Sequence, residues 1–195
     1  LYESQNNFEK AETYFTQALE IRLDIGDLRR IASTEMSLGN LYVKTKKLDK
    51  AAELLNSAIE IYESMDEKYG KTNVTINLSR IYQQINLLDT SLVLAKEAYK
   101  LSHIVGNKTL IKNASKLLSD IYYSLGSIDS SYYYLQEYNK IYEEIYVEDK
   151  ERLILENEYK YQTKAKEIEI ELLKSKNRNN KQKILIFTIT AITII

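Results

Sequence analysis

Apolar and polar positions along this chain repeat with a period of 40 residues. Leu1-Tyr2, Leu41-Tyr42, Ile81-Tyr82 and Ile121-Tyr122 fall at one phase. Seven positions later come Phe8, Leu48, Leu88 and Ile128, then the small residues Ala11, Ala51, Ser91 and Ser131. Ala18, Ala58, Ala98 and Tyr138 form a further column, and Ile21, Ile61, Leu101 and Ile141 another. A fixed period in this range marks a stack of supersecondary units, each unable to bury its apolar face alone. Within a unit the spacing predicts two helices. Ile31, Leu38, Leu41 and Tyr42 share one face of a segment near 28–45. After a polar loop at 45–47, Leu48, Ala51, Leu54, Leu55, Ala58, Ile61 and Tyr62 share a face of a second segment, to about 65. Joints between units are expected near 26, 66, 106 and 146.

Glycine placement sharpens this reading. Gly26, Gly70, Gly106 and Gly126 read as marks of the joints. Gly26-Asp27 and Gly106-Asn107 look like a helix end followed by the cap of the next helix. Gly39 lies inside a first helix, in a column with Ser79 and Ser119, which predicts close approach between helices.

Composition agrees. The 195 residues contain five glycines and no proline, cysteine or tryptophan, but 17 tyrosines. So few turn residues argue against a sandwich or barrel and for an all-α chain. The lack of cysteine excludes a disulfide scaffold, a zinc ribbon and thiol catalysis. A balance of 27 basic and 28 acidic residues, net charge -1, does not suit a dedicated nucleic-acid binder. The chain opens within one helix and closes within an apolar run, so a piece of a longer protein is expected.

Leu38-Gly39, Tyr42, Ala51, Leu55 and Ala58 resemble the tetratricopeptide repeat (TPR) pattern, as do Phe15 and Ala18 in the first copy. The resemblance covers about residues 1–146 as three and a half repeats. It departs from the family in having Glu35 at the first tryptophan position, no terminal proline, and a period of 40 rather than roughly 34. It implies a helical-hairpin solenoid that binds proteins or peptides rather than doing chemistry.

The chain then changes character. From 146 to 183 there is no glycine, and Val147, Ile154, Tyr161 and Ile168 recur at heptad spacing, with Ala165 and Leu172 at a partner position. Either this is one solvated helix capping the last repeat, or a coiled coil pairing two copies through Ile154, Tyr161, Ile168 and Leu172 over 154–172. Residues 184–195, ILIFTITAITII, carry no charge. Twelve residues span roughly 18 Å against roughly 30 Å of hydrocarbon. With no other strand to pair with, the run reads as the start of a transmembrane helix rather than a buried strand.

Tyr161-Gln162-Thr163, 166–170 and Leu172-Leu173 add a second resemblance, to the TPR sensor regions of Bacteroidetes-type membrane-bound histidine kinases, or of relatives with helix-turn-helix outputs. It implies extracytoplasmic repeats, a single membrane pass and an output domain beyond this chain. Lys174, Lys176, Arg178, Lys181 and Lys183 just before the run oppose that orientation by the positive-inside rule. The domain reading is therefore 1–146 repeats, 147–183 charged signal helix, and 184–195 membrane segment.

Chemistry is sparse. His103, the single histidine, has no cysteine with which to build a zinc site. Residues 106–109 lack the first glycine of a phosphate loop and follow a helix rather than a strand. No cofactor and no catalytic site is expected. In the resembling family the first helix of each unit lines the concave face. That register puts Ser33, Met36, Ser37, Asn40 and Lys44, then Asn73, Asn77, Arg80 and Gln84, then Asn113, Lys116, Asp120 and Tyr123 in the groove. Asn40 and Asn77 match the asparagines of the family's carboxylate clamp, but Met36, Asn113 and Leu117 stand where its basic residues would be. The expected binding residues are Asn40, Asn77, Arg80, Lys116, Asp120 and Tyr123, with amides pairing with an extended peptide backbone. The crowded tyrosines of the last repeat, 122 to 146, suit either its core or a partner. The functional expectation is a sensor region of a membrane-anchored signalling protein. A membrane-anchored scaffold and a soluble adaptor are the alternatives.

Overall fold

The computed structural model describes the backbone of residues 5–193 and the side chains of 7–184 and 186. Leu1 and Tyr2, the first members of their columns, and the last two residues of the apolar run lie outside the described residues. Helices account for nearly everything described, and no strand is present among these residues. They are α1 (Gln5–Ile25), α2 (Leu28–Lys44), α3 (Leu48–Ser64), α4 (Lys68–Gln84), α5 (Leu88–Val105), α6 (Lys108–Ser124) and α7 (Ile128–Thr193). First helices start at 28, 68 and 108, second helices at 48, 88 and 128, so the 40-residue period holds without a gap. The chain divides into two units, Leu1–Ile145 and Tyr146–Ile195.

The first unit is a solenoid of antiparallel helix pairs. Backbone geometry explains its regularity. Residues with positive φ occur at 26, 46, 66, 86, 106 and 126, one every 20 residues, each just past a helix end. At Lys46 the Lys46 N–H donates to the Val43 carbonyl (3.1 Å) and the Lys47 N–H to the Tyr42 carbonyl (2.8 Å), which satisfies two carbonyls that the helix end leaves open. Glycine fills three of these six left-handed positions, and Lys46, Asp66 and Asn86 fill the others. First helices are also capped. Asp27, Glu67 and Asn107, again 40 apart, accept from the N–H groups of Arg30, Gly70 and Leu110.

Two glycines expected at joints have other duties. Gly126 turns the chain within a hairpin, between α6 and α7. Gly70 is buried inside the first turn of α4, where a Cβ would strike the Tyr62 ring and the Glu67 carboxylate that caps the helix. Gly39 lies as expected at a helix crossing, where a Cβ would come within 2.9 Å of Leu55. The same crossing recurs as Ser79 against Ser91, which exchange hydroxyl-to-carbonyl bonds of 2.8 Å, and as Ser119 against Ser131, with hydroxyls 3.3 Å apart. The core forms two clusters. Leu38, Leu41, Tyr42, Leu55 and Ala58 belong to the first, and Ile76, Ala98, Leu110, Leu118 and Ile121 to the second.

No joint forms near 146. Residues 142–150 contain no glycine, proline or capping pattern, and α7 runs through them. In the second unit every described side chain from Tyr146 onward is exposed, including Ile154, Tyr161, Ile168 and Leu172.

The membrane expectation is overturned. No helix among the described residues is long and apolar enough to cross a membrane. The uncharged part of α7 begins only after Lys183, and its described length to Thr193 rises roughly 15 Å, about half of the hydrocarbon thickness. Lys181 and Lys183 stop the apolar stretch from extending backward. A single-pass anchor through 184–195, and with it an extracytoplasmic setting for the repeats, is withdrawn.

Candidate functional site

Helices α2, α4 and α6 each bury one side and leave a polar stripe on the other. Ile31, Ala32, Leu38 and Leu41 of α2 are buried, whereas Ser33, Ser37 and Asn40 are half-buried and Lys44 is exposed. In α4 Val74, Ile76, Leu78 and Ile81 are buried, leaving Asn73 and Asn77 half-buried and Arg80 and Gln84 exposed. In α6 the buried set is Leu110, Ile111, Ala114, Leu117, Leu118 and Ile121. Asn113 and Asp120 are half-buried, and Lys116 and Tyr123 exposed. Because α4 packs against both α2 and α6, the three stripes lie side by side.

Four of the expected residues form one neighbourhood. The Lys116 ammonium donates to Asp120 at 2.6 Å, one turn along α6. Arg80, on the neighbouring first helix, interacts electrostatically with the same Asp120. Its guanidinium also lies 3.4 Å from the Asn77 side-chain oxygen. Arg80 reaches solvent, yet protein atoms surround much of its side chain. That loss of hydration holds its pKa below the ordinary arginine value, while Asp120 acts in the opposite sense. Two cations thus share one carboxylate.

Asn40 belongs to a different place. It lines a cleft of about 440 Å³ between α1 and α2, together with Asn7, Phe8, Ala11, Phe15, Ser37, Leu41 and Lys44. Tyr123 stands 70% exposed near the end of α6.

Two polar features escaped sequence reasoning. Glu137 of α7 accepts from the Tyr99 hydroxyl (2.7 Å) and the Ser115 hydroxyl (3.2 Å), and its other oxygen lies 3.4 Å from His103 Nε2. Burial first, and Glu137 second, push the Tyr99 hydroxyl far above its ordinary pKa. These contacts tie α5, α6 and α7 together through one carboxylate. Nothing in the spacing of 99, 103, 115 and 137 marks such a cluster. The second feature is Glu35, 8% exposed, with one oxygen accepting from Ser57 at 2.9 Å and the other without a partner. Burial pushes its pKa up, and the Ser57 bond opposes this. Its place at the family's first tryptophan position was the available signal. Among the described residues no group of histidine and acidic side chains could hold a metal ion.

Comparison with known proteins agrees with the helical-hairpin fold. Residues 1–64 match the tetratricopeptide repeat family model. No curated protein matches the chain in sequence. Among solved structures, BtubC (BKLC) from P. vanneervenii is similar with a TM-score of 0.66 at 16% identity, over 74% of this chain and 60% of its own. A putative kinesin light chain from Podosopora anserina, with nearly identical TPR-like repeats, gives 0.58 at 14% identity, over 74% of this chain and 71% of its own. RapI in its apo form gives 0.50 at 20% identity, over 71% and 63%. The chain therefore spans about 60% of the length of BtubC. At such identities the likeness is one of fold, and none of it extends to a sensor kinase. Residues 1–64 carry the tetratricopeptide repeat in sequence, and the fold is a tetratricopeptide-like helical solenoid.

Proposed function

We propose that this chain is a protein-binding repeat module that takes an extended peptide along the stripe of α2, α4 and α6, and that it serves as the recognition segment of a signalling protein. The observation that carries the binding reading is the juxtaposition of Asn77, Arg80, Lys116 and Asp120 on two adjacent first helices, in line with Asn73 and Asn113. Amide side chains offer a donor and an acceptor together, which matches the alternating groups of an extended backbone. The signalling role rests on the resemblance of 161–173 alone. In it, helix 146–183 pairs two copies through Ile154, Tyr161, Ile168 and Leu172, whose exposure leaves the seam available. A scaffold without an output domain would use the same groove.

The test is selection of peptides from a random library on the 195-residue chain, followed by affinity measurement with Asn77→Ala and Arg80→Ala. Loss of about tenfold or more for either variant is expected, equivalent to about 1.4 kcal/mol. Selected peptides that bind both variants as tightly as the parent would contradict the groove reading.

A further inference from the structure

The charge on the stripe is out of character with the chain. The whole sequence has a net charge of -1, yet the stripe positions of α2, α4 and α6 carry three cations, Lys44, Arg80 and Lys116, and one carboxylate, Asp120. Lys44 lies at a separate opening that Glu9, Glu12, Lys46 and Lys47 also line, with Lys47 paired to Glu12 at 2.9 Å. The other two cations meet where α4 packs against α6. There Asp120 is committed to Lys116 at 2.6 Å and reaches Arg80 only through space. The remaining contact of Arg80 is the neutral Asn77 amide oxygen, at the outer limit of hydrogen bonding. A guanidinium presents five N–H donors in a planar fork suited to a carboxylate.

We infer that the groove selects acidic peptides, with the Asp or Glu side chain of an internal peptide residue seated on Arg80 between α4 and α6, next to the Lys116–Asp120 pair. This rests on the peptide-binding reading above and names the class of its ligand. Partial dehydration of Arg80 works in the same direction, because a cation that has lost water gains more from an anionic partner. Asp120 then acts as a selectivity element. It repels the incoming carboxylate and holds Lys116 back, so that weakly acidic segments are refused. The solvent-accessible edge of Arg80 also makes the contact sensitive to salt.

The experiment uses the full chain and a peptide selected from the random library. Fluorescence anisotropy compares that peptide with its counterpart in which each Asp or Glu is changed to Asn or Gln, and with a C-terminally amidated form. The expected result is enrichment of acidic residues in the selected set, about tenfold weaker binding of the neutral counterpart, and no effect of amidation. Arg80→Gln should bind the acidic and neutral peptides alike, and Asp120→Asn should bind the acidic peptide several-fold more tightly. Lys116→Gln provides a second charge removal should Arg80→Gln lose helix content by circular dichroism. Equal affinity of acidic and neutral peptides overturns this inference, as does weaker acidic binding by Asp120→Asn. Neutral peptides that bind the parent and are lost in Asn77→Ala would sink the charge preference while leaving the groove reading intact. Selected peptides that ignore Asn77→Ala and Arg80→Ala would remove both.

Discussion

Single residues in this solenoid obey local rules strictly enough to give measurable consequences. Glu35 is a buried carboxylate, with one oxygen bonded to Ser57 and the other unpartnered. Burial raises its folded-state pKa above the ordinary 4.5. The fold therefore prefers the protonated acid. With respect to this group, stability is greatest below pH 4.5 and declines as pH rises from there through the raised value. Glu35→Gln keeps an oxygen for Ser57 and removes the charge. It should stabilise the protein by about 1 kcal/mol at pH 7, with the gain shrinking toward zero near pH 4, as read by urea denaturation of both proteins. A variant less stable than the parent at pH 7 would contradict this account. Lys46 makes a second case. Its φ of 60° is a conformation that glycine adopts freely, and Gly126 already fills the equivalent turn two repeats further along. A non-glycine residue there costs about 1 kcal/mol, of which the greater freedom of glycine in the unfolded chain returns part. Lys46→Gly should raise stability by about 0.5 kcal/mol, seen as a small upward shift in Tm.

At the scale of elements, much of the architecture was legible because the period is a packing requirement. Columns such as Ala51/Ser91 and Gly39/Ser79 must stay small where helices cross, so they betray the register. Asp27 and Asn107 announced the caps they make. Glu67 did not, because a long side chain caps α4 only where Gly70 leaves room for it. The joint near 146 was extrapolated from the period, and the chain there lacks any residue to end a helix. The Glu137 cluster joins three helices through residues up to 38 positions apart, which no local pattern encodes. The apolar run after Lys183 resembled a membrane segment by composition, and no helix among the described residues is long and apolar enough to cross a membrane. For the long helix, the exposed heptad positions make a clear prediction. If Ile154, Tyr161, Ile168 and Leu172 form a seam between copies, the 195-residue chain should dimerise with rising concentration in sedimentation equilibrium, and Ile168→Asp should leave it monomeric. A parent that stays monomeric at high micromolar concentration would make this helix a solitary stalk.

For the repeat unit as a whole, one chain property generates both fold and site. A helix and its turn occupy 20 residues, alternate helices carry side-chain caps, and the same face of every first helix is left polar. The stripe across α2, α4 and α6 is thus a product of the repeat, and its chemistry lies in the few positions where the copies differ, Asn40, Arg80 and Asp120 among them. Sequence reasoning reached these residues through register alone. It did not foresee that Asp120 would be shared by Lys116 and Arg80, because that pairing depends on the spacing between neighbouring units. Hydrogen–deuterium exchange of the 195-residue chain, with and without a library-selected peptide, tests the central claim most directly. Binding in the groove predicts slowed exchange confined to 33–44, 73–84 and 113–124, strongest in the last two segments. Slowed exchange in α3 and α5 with none in α4 and α6 would contradict it.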